Sequence, residues 1–268
     1  MTTVHPAAYP PGGQPIAAQP MAGVPPQAGG VGWSPIIQVP AGCPPGLEGL
    51  VAMDQLLVKQ KVEVFEAITG YETNNKYEIV NTLGQRVFMA VEDTCCCTRN
   101  CCGHSRPFDI KILDRNNREV IHLSRPLRCS SCYFPCCLQK VEVQAPLGNT
   151  IGYVRQGWHP CLPKYKLMDE NDKTVLRIEG PCCQWNICGD VEFDVKSKDE
   201  QFDVGRISKQ WSGLMKEMFT DSDNFGVTFP MDLDVKMKAV MLGAVFLIDF
   251  MYFENNQDKA ARDANMML

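Results

Sequence analysis

Five pairs of short alternating runs, each joined by turn-forming residues, most strongly constrain what this chain can fold into. Runs such as F-D-I-K-I and V-E-V-Q alternate between apolar and polar residues, which is typical of a half-buried strand. The short connections are rich in Gly, Asn, Asp or Pro, so each pair predicts a β-hairpin. The predicted hairpins join residues 77–81 to 86–91, 108–113 to 120–124, 141–144 to 151–155, 165–168 to 174–178, and 193–196 to 204–207.

The number of strands predicts a sheet that closes on itself. The hairpins supply ten strands, and residues 62–67 (V-E-V-F-E-A) and 233–237 (L-D-V-K-M) are predicted as two more. About twelve antiparallel strands exceed what an open twisted sheet usually holds. The predicted fold class is therefore mainly β, a closed antiparallel barrel of about twelve strands. Helical spacing of apolar residues also predicts two amphipathic helices, over residues 47–58 and 207–218.

A strongly hydrophobic segment lies near the C-terminus. Residues 239–253 read A-V-M-L-G-A-V-F-L-I-D-F-M-Y-F and are apolar on every face of a helix except at Asp249. Such a helix is about 22 Å long, shorter than the roughly 30 Å hydrocarbon core, and Asp249 would cost on the order of 3 kcal/mol in lipid. We therefore expect the helix at the centre of the barrel. The alternative is one short membrane span beside Lys236 and Lys238.

The first 46 residues differ in composition from the rest of the chain. They contain eleven prolines and eight glycines, and no Asp, Glu, Lys or Arg. Such a segment cannot bury enough apolar surface to offset its conformational entropy, so it is predicted to be a disordered tail. Two roles stay open for it. It is either a ligand for polyproline-binding domains or a flexible spacer, and the lack of any P-x-x-P spacing favours the spacer.

The chain has fourteen cysteines, and thirteen of them fall between predicted hairpins. In a meander those connections lie at one end of the barrel, so the thiols are expected to cluster there. The N-terminus lacks the features of a secretory signal, and the thiols are therefore expected to stay reduced. A zinc site that uses Cys129 and Cys132, S-acylation near a membrane, and packing as small apolar residues all stay open.

Residues 221–232, D-S-D-N-F-G-V-T-F-P-M-D, match a twelve-residue calcium loop only in part. Asp221, Asp223 and Gly226 occupy positions one, three and six, but position twelve is Asp232 rather than the longer Glu. A weak site, with a dissociation constant of about 10⁻⁴–10⁻³ M, is the most that such a ligand set predicts. The alternative is a turn followed by a strand that carries Phe225, Val227 and Phe229 into the core.

Charge and motif content argue against two other classes of function. The net charge is −5, so no long-range field favours nucleic acid. The chain has four histidines, and none of them stands in a recognisable nucleophile or metal motif. The sequence therefore predicts neither a nucleic-acid-binding protein nor an enzyme of covalent chemistry.

Four longer motifs resemble the phospholipid scramblase family. They are D-T-C-C-C-T-R-N-C-C-G, R-P-L-R-C-S-S-C, T-D-S-D-N-F-G-V-T-F-P-M-D-L-D-V-K-M-K-A-V and F-L-I-D-F-M-Y-F-E. The resemblance runs from about Pro44 to Glu254, and it implies a tubby-like domain of residues 47–254, between a proline-rich tail (1–46) and a short C-terminal tail (255–268). It also implies calcium-stimulated, ATP-independent movement of phospholipids between the leaflets of the plasma membrane.

The same resemblance implies site residues. The family's calcium segment falls on residues 221–232, which puts the ligands at Asp221, Asp223, Phe225, Val227, Phe229 and Asp232. Its palmitoylated run falls on Cys132, Cys136 and Cys137, with Cys95, Cys96, Cys97, Cys101 and Cys102 as a further candidate set. The family is usually drawn with a membrane span from Met237 to Phe253 and a cytoplasmic N-terminus. A nuclear-import segment resembles residues 205–212, so an unacylated pool is expected in the nucleus.

Two functions follow from these expectations. The first is a calcium-dependent lipid transporter whose partner is the phospholipid membrane; because one short helix supplies no hydrated path for a headgroup, it would act as a homo-oligomer or distort the bilayer. The second is an acylated, membrane-tethered adaptor that recruits polyproline-binding signalling domains and affects lipid movement only indirectly.

Overall fold

The computed structural model describes residues 32–35, 39, 42–61, 75–94, 98, 102, 106–128, 137–182, 191–209 and 224–253. The chain divides into two units, Met1–Gly30 and Val31–Leu268, and all of the described residues belong to the second.

Twelve strands form the second unit, and they close into one antiparallel barrel. Each strand pairs with its neighbours in the chain, and the first strand pairs with the last to complete the circle. The strands are β1 (Gln55–Lys61), β2 (Lys76–Val80), β3 (Arg86–Glu92), β4 (Phe108–Leu113), β5 (Glu119–Arg125), β6 (Lys140–Gln144), β7 (Thr150–Gly157), β8 (Lys164–Asp169), β9 (Thr174–Glu179), β10 (Val191–Ser197), β11 (Asp203–Lys209) and β12 (Asn224–Thr228).

All five predicted hairpins are confirmed: β2 with β3, β4 with β5, β6 with β7, β8 with β9, and β10 with β11. The alternation along β4 shows why these runs are strands. Phe108, Ile110 and Ile112 are fully buried, whereas the side chains of Asp109 and Lys111 between them face outward. The predicted closed barrel of about twelve strands is likewise confirmed.

A hydrophobic helix fills the barrel. Helix α1 (Val235–Ile248) continues into a π-helical turn (Asp249–Phe253). Every residue from Met237 to Ile248 is buried, and the core cluster joins these side chains to the inward-facing residues of the strands. A helix that is apolar on all faces is stable only where apolar groups surround it, and the closed sheet supplies that surrounding. The expectation of a buried central helix is confirmed.

Two glycines allow α1 to lie close to the sheet at β6 and β7. A Cβ atom at Gly243 would come within 2.9 Å of Val143 Cγ2, and one at Gly152 would come within 2.7 Å of Val240 Cγ2. Real Cβ atoms are essentially never found at such distances, so a larger residue at either position would force the helix or the strand to move.

The predicted strand over residues 233–237 is wrong. The carboxylate of Asp234 accepts hydrogen bonds from the backbone N–H groups of Lys236 and Met237, at 2.9 and 3.3 Å, and so caps the first turn of α1. The last strand of the barrel is instead β12, and the first is β1. Residues 62–67, predicted as the other outer strand, lie outside the described residues.

The predicted helix over residues 47–58 is also wrong. Only Glu48–Leu50 forms a 3₁₀ turn, with Leu50 fully buried, and the chain then enters β1. Leu56 and Val58 face the core at the period of a strand, and that burial overrides the helical spacing. Of the helix predicted over residues 207–218, Ile207 lies in β11, and residues 210–218 lie outside the described residues.

Part of the segment predicted as a tail lies against the barrel. The backbone N–H of Ser34 donates to the carbonyl oxygen of Arg86 at 2.8 Å, and the N–H of Arg86 donates to Gly32 at 2.8 Å. The guanidinium of Arg86 also lies 5.2 Å from the centre of the Trp33 ring. Residues 32–35 therefore extend the sheet locally beside the start of β3.

The close contact at Gly243 gives a first test of the buried helix. We expect Gly243→Leu to lower the free energy of unfolding by at least about 2 kcal/mol, because the added side chain has no room beside β6. Met241→Leu, which conserves volume in the same helix, should cost about 1 kcal/mol or less. Denaturant unfolding of the two variants measures the difference, and equal stability would mean that α1 does not occupy the barrel.

Candidate functional site

The barrel has two chemically different ends. The turns within the five hairpins lie at one end, which we call the hairpin end, and the connections between hairpins lie at the other, which we call the link end. Because α1 follows β12, it begins at the hairpin end and runs through the barrel to the link end. The predicted site residues fall into separate groups along this axis.

A buried lysine closes the hairpin end of the core. Lys238, on the first turns of α1, is fully buried. Its Nζ donates hydrogen bonds to the backbone carbonyl oxygens of Leu50, Val51, Met53 and Met231, at 3.2, 3.1, 2.7 and 2.8 Å respectively. One ammonium group thereby joins the segment before β1, the segment after β12 and the helix.

Burial lowers the pKa of Lys238, while the nearby carboxylates of Asp54 and Asp232 act in the opposite direction. Its ammonium also lies 5.3 Å from the centre of the Phe229 ring. Asp232, which was predicted as a calcium ligand, is exposed, and its charge acts on this lysine.

Five residues of the predicted calcium segment, Asn224–Thr228, form strand β12. Asp221 and Asp223 lie outside the described residues, whereas the side chains of Phe225, Val227 and Phe229 are buried in the core. This is the placement that the strand alternative predicts.

The backbone of this segment is also engaged in the sheet. Gly226, at the position where a calcium loop turns sharply, pairs with Leu57 on one side and Ser208 on the other. Residues 224–228 therefore do not have loop geometry in this fold. The described parts of the chain also contain no group of three or more His, Cys, Asp or Glu side chains arranged to hold a metal ion.

Four of the described cysteines lie at the link end, one in each of four connections. Cys102 and Cys137 are half-buried, Cys161 and Cys182 are exposed, and none of the four forms a disulfide. Their placement agrees with the expectation that inter-hairpin cysteines share one end. The other acylation candidates, Cys95, Cys96, Cys97, Cys101, Cys132 and Cys136, lie outside the described residues.

A groove of about 200 Å³ lies at the link end beside two of these thiols. Trp158, His159, Cys161 and Cys182 line it, and Trp158 is 59% exposed. Nδ1 of His159 accepts hydrogen bonds from the backbone N–H groups of Cys161 and Leu162, at 3.2 and 2.8 Å, and so orders this connection. An exposed indole ring is suited to contact with the interfacial region of a bilayer.

Two buried arginines at the link end of the core were missed by the sequence analysis. Nε and Nη2 of Arg106 donate to the two carboxylate oxygens of Glu92, at 2.9 and 3.2 Å, and the guanidinium lies 4.3 Å from the centre of the Phe250 ring. Nε of Arg125 donates to Oε1 of Gln139 at 3.0 Å. The sequence did contain a signal for two of these buried side chains. Glu92 and Arg125 continue the alternation of inward-facing residues along β3 and β5, which predicts that both point into the barrel.

Residues 237–253 were also considered as a membrane span. Among the residues that the structure describes, no helix has both the length and the apolar character needed to cross a bilayer.

Comparison with known proteins decides the family. The protein-family description "Scramblase" matches residues 33–255. The chain belongs to the scramblase family. Phospholipid scramblase 1 of Mus musculus is 60% identical over 252 residues, which cover 94% of this chain and 77% of that protein. Phospholipid scramblase 1 of Homo sapiens is 62% identical over 228 residues, covering 85% and 72%. Phospholipid scramblase 2 of Bos taurus is 60% identical over 244 residues, covering 91% and 83%. No solved structure matches this scramblase.

The four carbonyl contacts of Lys238 give a test of how the hairpin end is held. We expect Lys238→Met to lower the free energy of unfolding by about 2–4 kcal/mol, because it leaves several carbonyl groups without their donor. Lys236→Met, on the same helix, removes only a surface ion pair to Glu170 at 3.5 Å and should cost less than about 1 kcal/mol. Thermal or denaturant unfolding distinguishes the two variants. A free energy of unfolding that is unchanged in Lys238→Met would contradict the assigned role.

Proposed function

We propose that this scramblase moves phospholipids in both directions between the leaflets of the plasma membrane, without ATP and with stimulation by calcium. The family relation carries the proposal, since relatives 60% and 62% identical to this chain are named phospholipid scramblases. The proposed activity is lipid transport rather than the catalysis of covalent chemistry.

The barrel limits where a lipid headgroup can pass. A polar headgroup needs a hydrated path through hydrocarbon, and the centre of this barrel is filled by buried apolar side chains of α1. The proposed path therefore runs outside the barrel, either between copies of the chain or through bilayer that the protein distorts. A homo-oligomer is accordingly one of the two forms of the proposal.

We propose that acyl chains on Cys132, Cys136 and Cys137 anchor the link end at the cytoplasmic face of the membrane. Each buried methylene of an acyl chain contributes about 0.8 kcal/mol, and two or more chains give stable anchoring. The placement of Cys137, Cys161 and Cys182 at this end supports the orientation. A chain without acyl groups would be free to enter the nucleus.

Calcium stimulation stays a prediction that rests on the family resemblance. Its proposed ligands are the carboxylates of Asp221, Asp223 and Asp232 together with backbone groups at Phe225, Val227 and Phe229. The pairing of β12 on both sides does not favour this ligand set. No step of the transport is therefore assigned to the ion.

A second candidate function is a membrane-tethered adaptor, which affects lipid movement only indirectly. The observation that favours it is the enclosure of α1, the most apolar segment, within the protein's own core. In this case the proline-rich tail would bind polyproline-recognising signalling domains while acyl chains hold the barrel at the membrane.

Lipid exchange in liposomes separates the two functions. Purified protein is incorporated with fluorescent phospholipid, and the outer leaflet is bleached with and without calcium. We expect bleaching to proceed beyond half of the label with calcium present, and the gain to be lost in Asp221→Ala/Asp232→Ala. Bleaching that stops at half with calcium present would reject direct transport and favour the adaptor, whereas calcium-stimulated transport by the variant would reject the ligand assignment.

The anchoring proposal has a separate test in cells. We expect Cys132→Ala/Cys136→Ala/Cys137→Ala to move the protein from the membrane fraction to the soluble fraction on high-salt washing, because no acyl chains would remain in this run. Cys43→Ala, in the segment before β1, serves as the control and should leave the distribution unchanged. Full membrane retention of the triple variant after hydroxylamine and high-salt washing would contradict acylation as the anchor.

A further inference from the structure

Five basic residues stand opposite one another on five consecutive strands. In the pairing of the barrel, Lys140 is opposite Arg155, Arg155 is opposite Lys166, Lys166 is opposite Arg177, and Arg177 is opposite Lys196. We call this set the cationic row. Neighbouring strands lie about 4.8 Å apart, so the row extends about 19 Å around the barrel from β6 to β10.

The cationic row faces outward and opposes ordinary strand pairing. The residues that alternate with it, including Val141, Val154 and Ile178, are buried in the core, so the basic side chains lie on the solvent side. Like charges directly opposite each other on neighbouring strands are destabilising. Four such pairs in succession therefore lower the stability of the folded barrel, and no contact between members of the row offsets this loss.

Ion pairs relieve this repulsion only in part. Arg155 pairs with Asp172 at 2.7 Å, Arg177 with Glu200 at 3.3 Å, and Lys196 with Glu179 at 3.4 Å. Lys164, which is opposite Glu179 in the pairing of β8 with β9, also forms an ion pair with that carboxylate at 3.4 Å. Lys140 lies 3.8 Å from the centre of the Tyr153 ring.

The side chain of Lys166, at the centre of the row, is exposed and has no ion pair or hydrogen bond among the described residues. With Lys164 included, six cations share three paired carboxylates. This excess of positive charge lies on a chain whose net charge is −5.

A shallow cavity lies along the row. It has a volume of about 200 Å³. Trp158 and four cations, Lys164, Lys166, Arg177 and Lys196, line it together with two carboxylates, Glu179 and Glu200. Trp158 also lines the link-end groove that holds Cys161 and Cys182. One exposed indole ring therefore joins the cationic row to the end of the barrel that carries the free thiols.

We propose that the cationic row and Trp158 form a docking surface for the anionic phospholipid headgroups of a membrane. The proposal deepens the proposed membrane function and rests on it for the choice of lipid as the occupant. Basic side chains attract the phosphate and carboxylate groups of anionic lipids, and an indole ring prefers the headgroup region of a bilayer. Continuity with the link end favours lipid over a soluble polyanion, and the negative net charge opposes long-range attraction to nucleic acid.

On this surface the barrel would lie with its β6–β10 side towards the headgroups, next to the acylated link end. A side-on contact leaves the core closed and α1 enclosed, so it requires no unfolding. Electrostatic attraction through the row would act before acylation and independently of calcium.

Vesicle binding by the full-length, unacylated chain tests this surface. Flotation with vesicles of phosphatidylcholine, with and without phosphatidylserine, is measured in EDTA for Lys166→Gln/Arg177→Gln/Lys196→Gln. The control, Lys61→Gln/Lys111→Gln/Arg118→Gln, removes the same number of positive charges from positions on or next to β1, β4 and β5. These three residues form ion pairs with Glu78, Asp93 and Asp114. Circular dichroism and thermal unfolding confirm that each variant is folded.

We expect the row variant to lose about 100-fold in affinity for vesicles that contain phosphatidylserine, at about five-fold per charge, and the control to lose much less. Binding should also weaken with salt and be slight on phosphatidylcholine alone. Equal losses in the two variants, or none in the row variant, would overturn the proposal. Row-dependent binding to duplex DNA or to polyglutamate, without binding to vesicles, would overturn the lipid assignment.

This assay measures docking and not lipid movement. A chain that binds through the row but moves no lipid would leave the docking surface intact and contradict the transport function. A chain that moves lipid equally well with and without the row would support transport and, if its vesicle binding is also unchanged, reject the docking surface.

Discussion

The enclosure of α1 by twelve strands is the interaction on which the rest of the structure depends. A closed sheet of this size has an interior that must be filled, and a helix that is apolar on every face must be kept from water. The helix fills the interior of the sheet, and the sheet keeps the helix from water. Gly152 and Gly243, which have no side chains, allow the two to lie in close contact. The two ends of this core are closed by buried cations, Lys238 at the hairpin end and Arg106, paired with Glu92, at the link end.

Because the apolar segment is used inside, the chemistry available for membranes lies on the outside. The link end presents free thiols and an exposed tryptophan, and the adjoining face of β6–β10 presents the cationic row. These features are adjacent through Trp158, whereas the hairpin end holds the helix start and its carbonyl-bound lysine. In the proposed function the scramblase contacts lipid with this surface, while its core keeps the surface rigid.

The sequence was informative where structure is local. Period-two runs joined by short turns identified all five hairpins, and composition placed the C-terminal segment inside the barrel. It was misleading at β1, which it assigned to a helix, because β1 pairs with β12 across most of the chain and no turn marks that pairing. The strand predicted over residues 233–237 was wrong because of Asp234. The run alternates like a strand, but the carboxylate of Asp234 caps the first turn of a helix there.

The site was less predictable than the fold. A hairpin turn sets the register within β6–β7 and within β8–β9, but the cationic row also needs the registers of β7 with β8 and β9 with β10. Those registers are set by packing across links of unequal length, and a shift of one residue would turn each side chain to the other face. The inward position of Arg125 followed the alternation of β5, yet a charged residue there is read first as a surface residue.

The closure of β1 on β12, with the core helix directly after it, has a consequence for synthesis. The ribosome delivers β1 first, yet its partner strand and the side chains that fill the interior emerge only after all the other strands. Until then eleven strands hold apolar faces with nothing to cover them, and β1 and β11 are open edges. Contacts of such long sequence separation form slowly, so the nascent chain is expected to depend on chaperones until its last segment arrives.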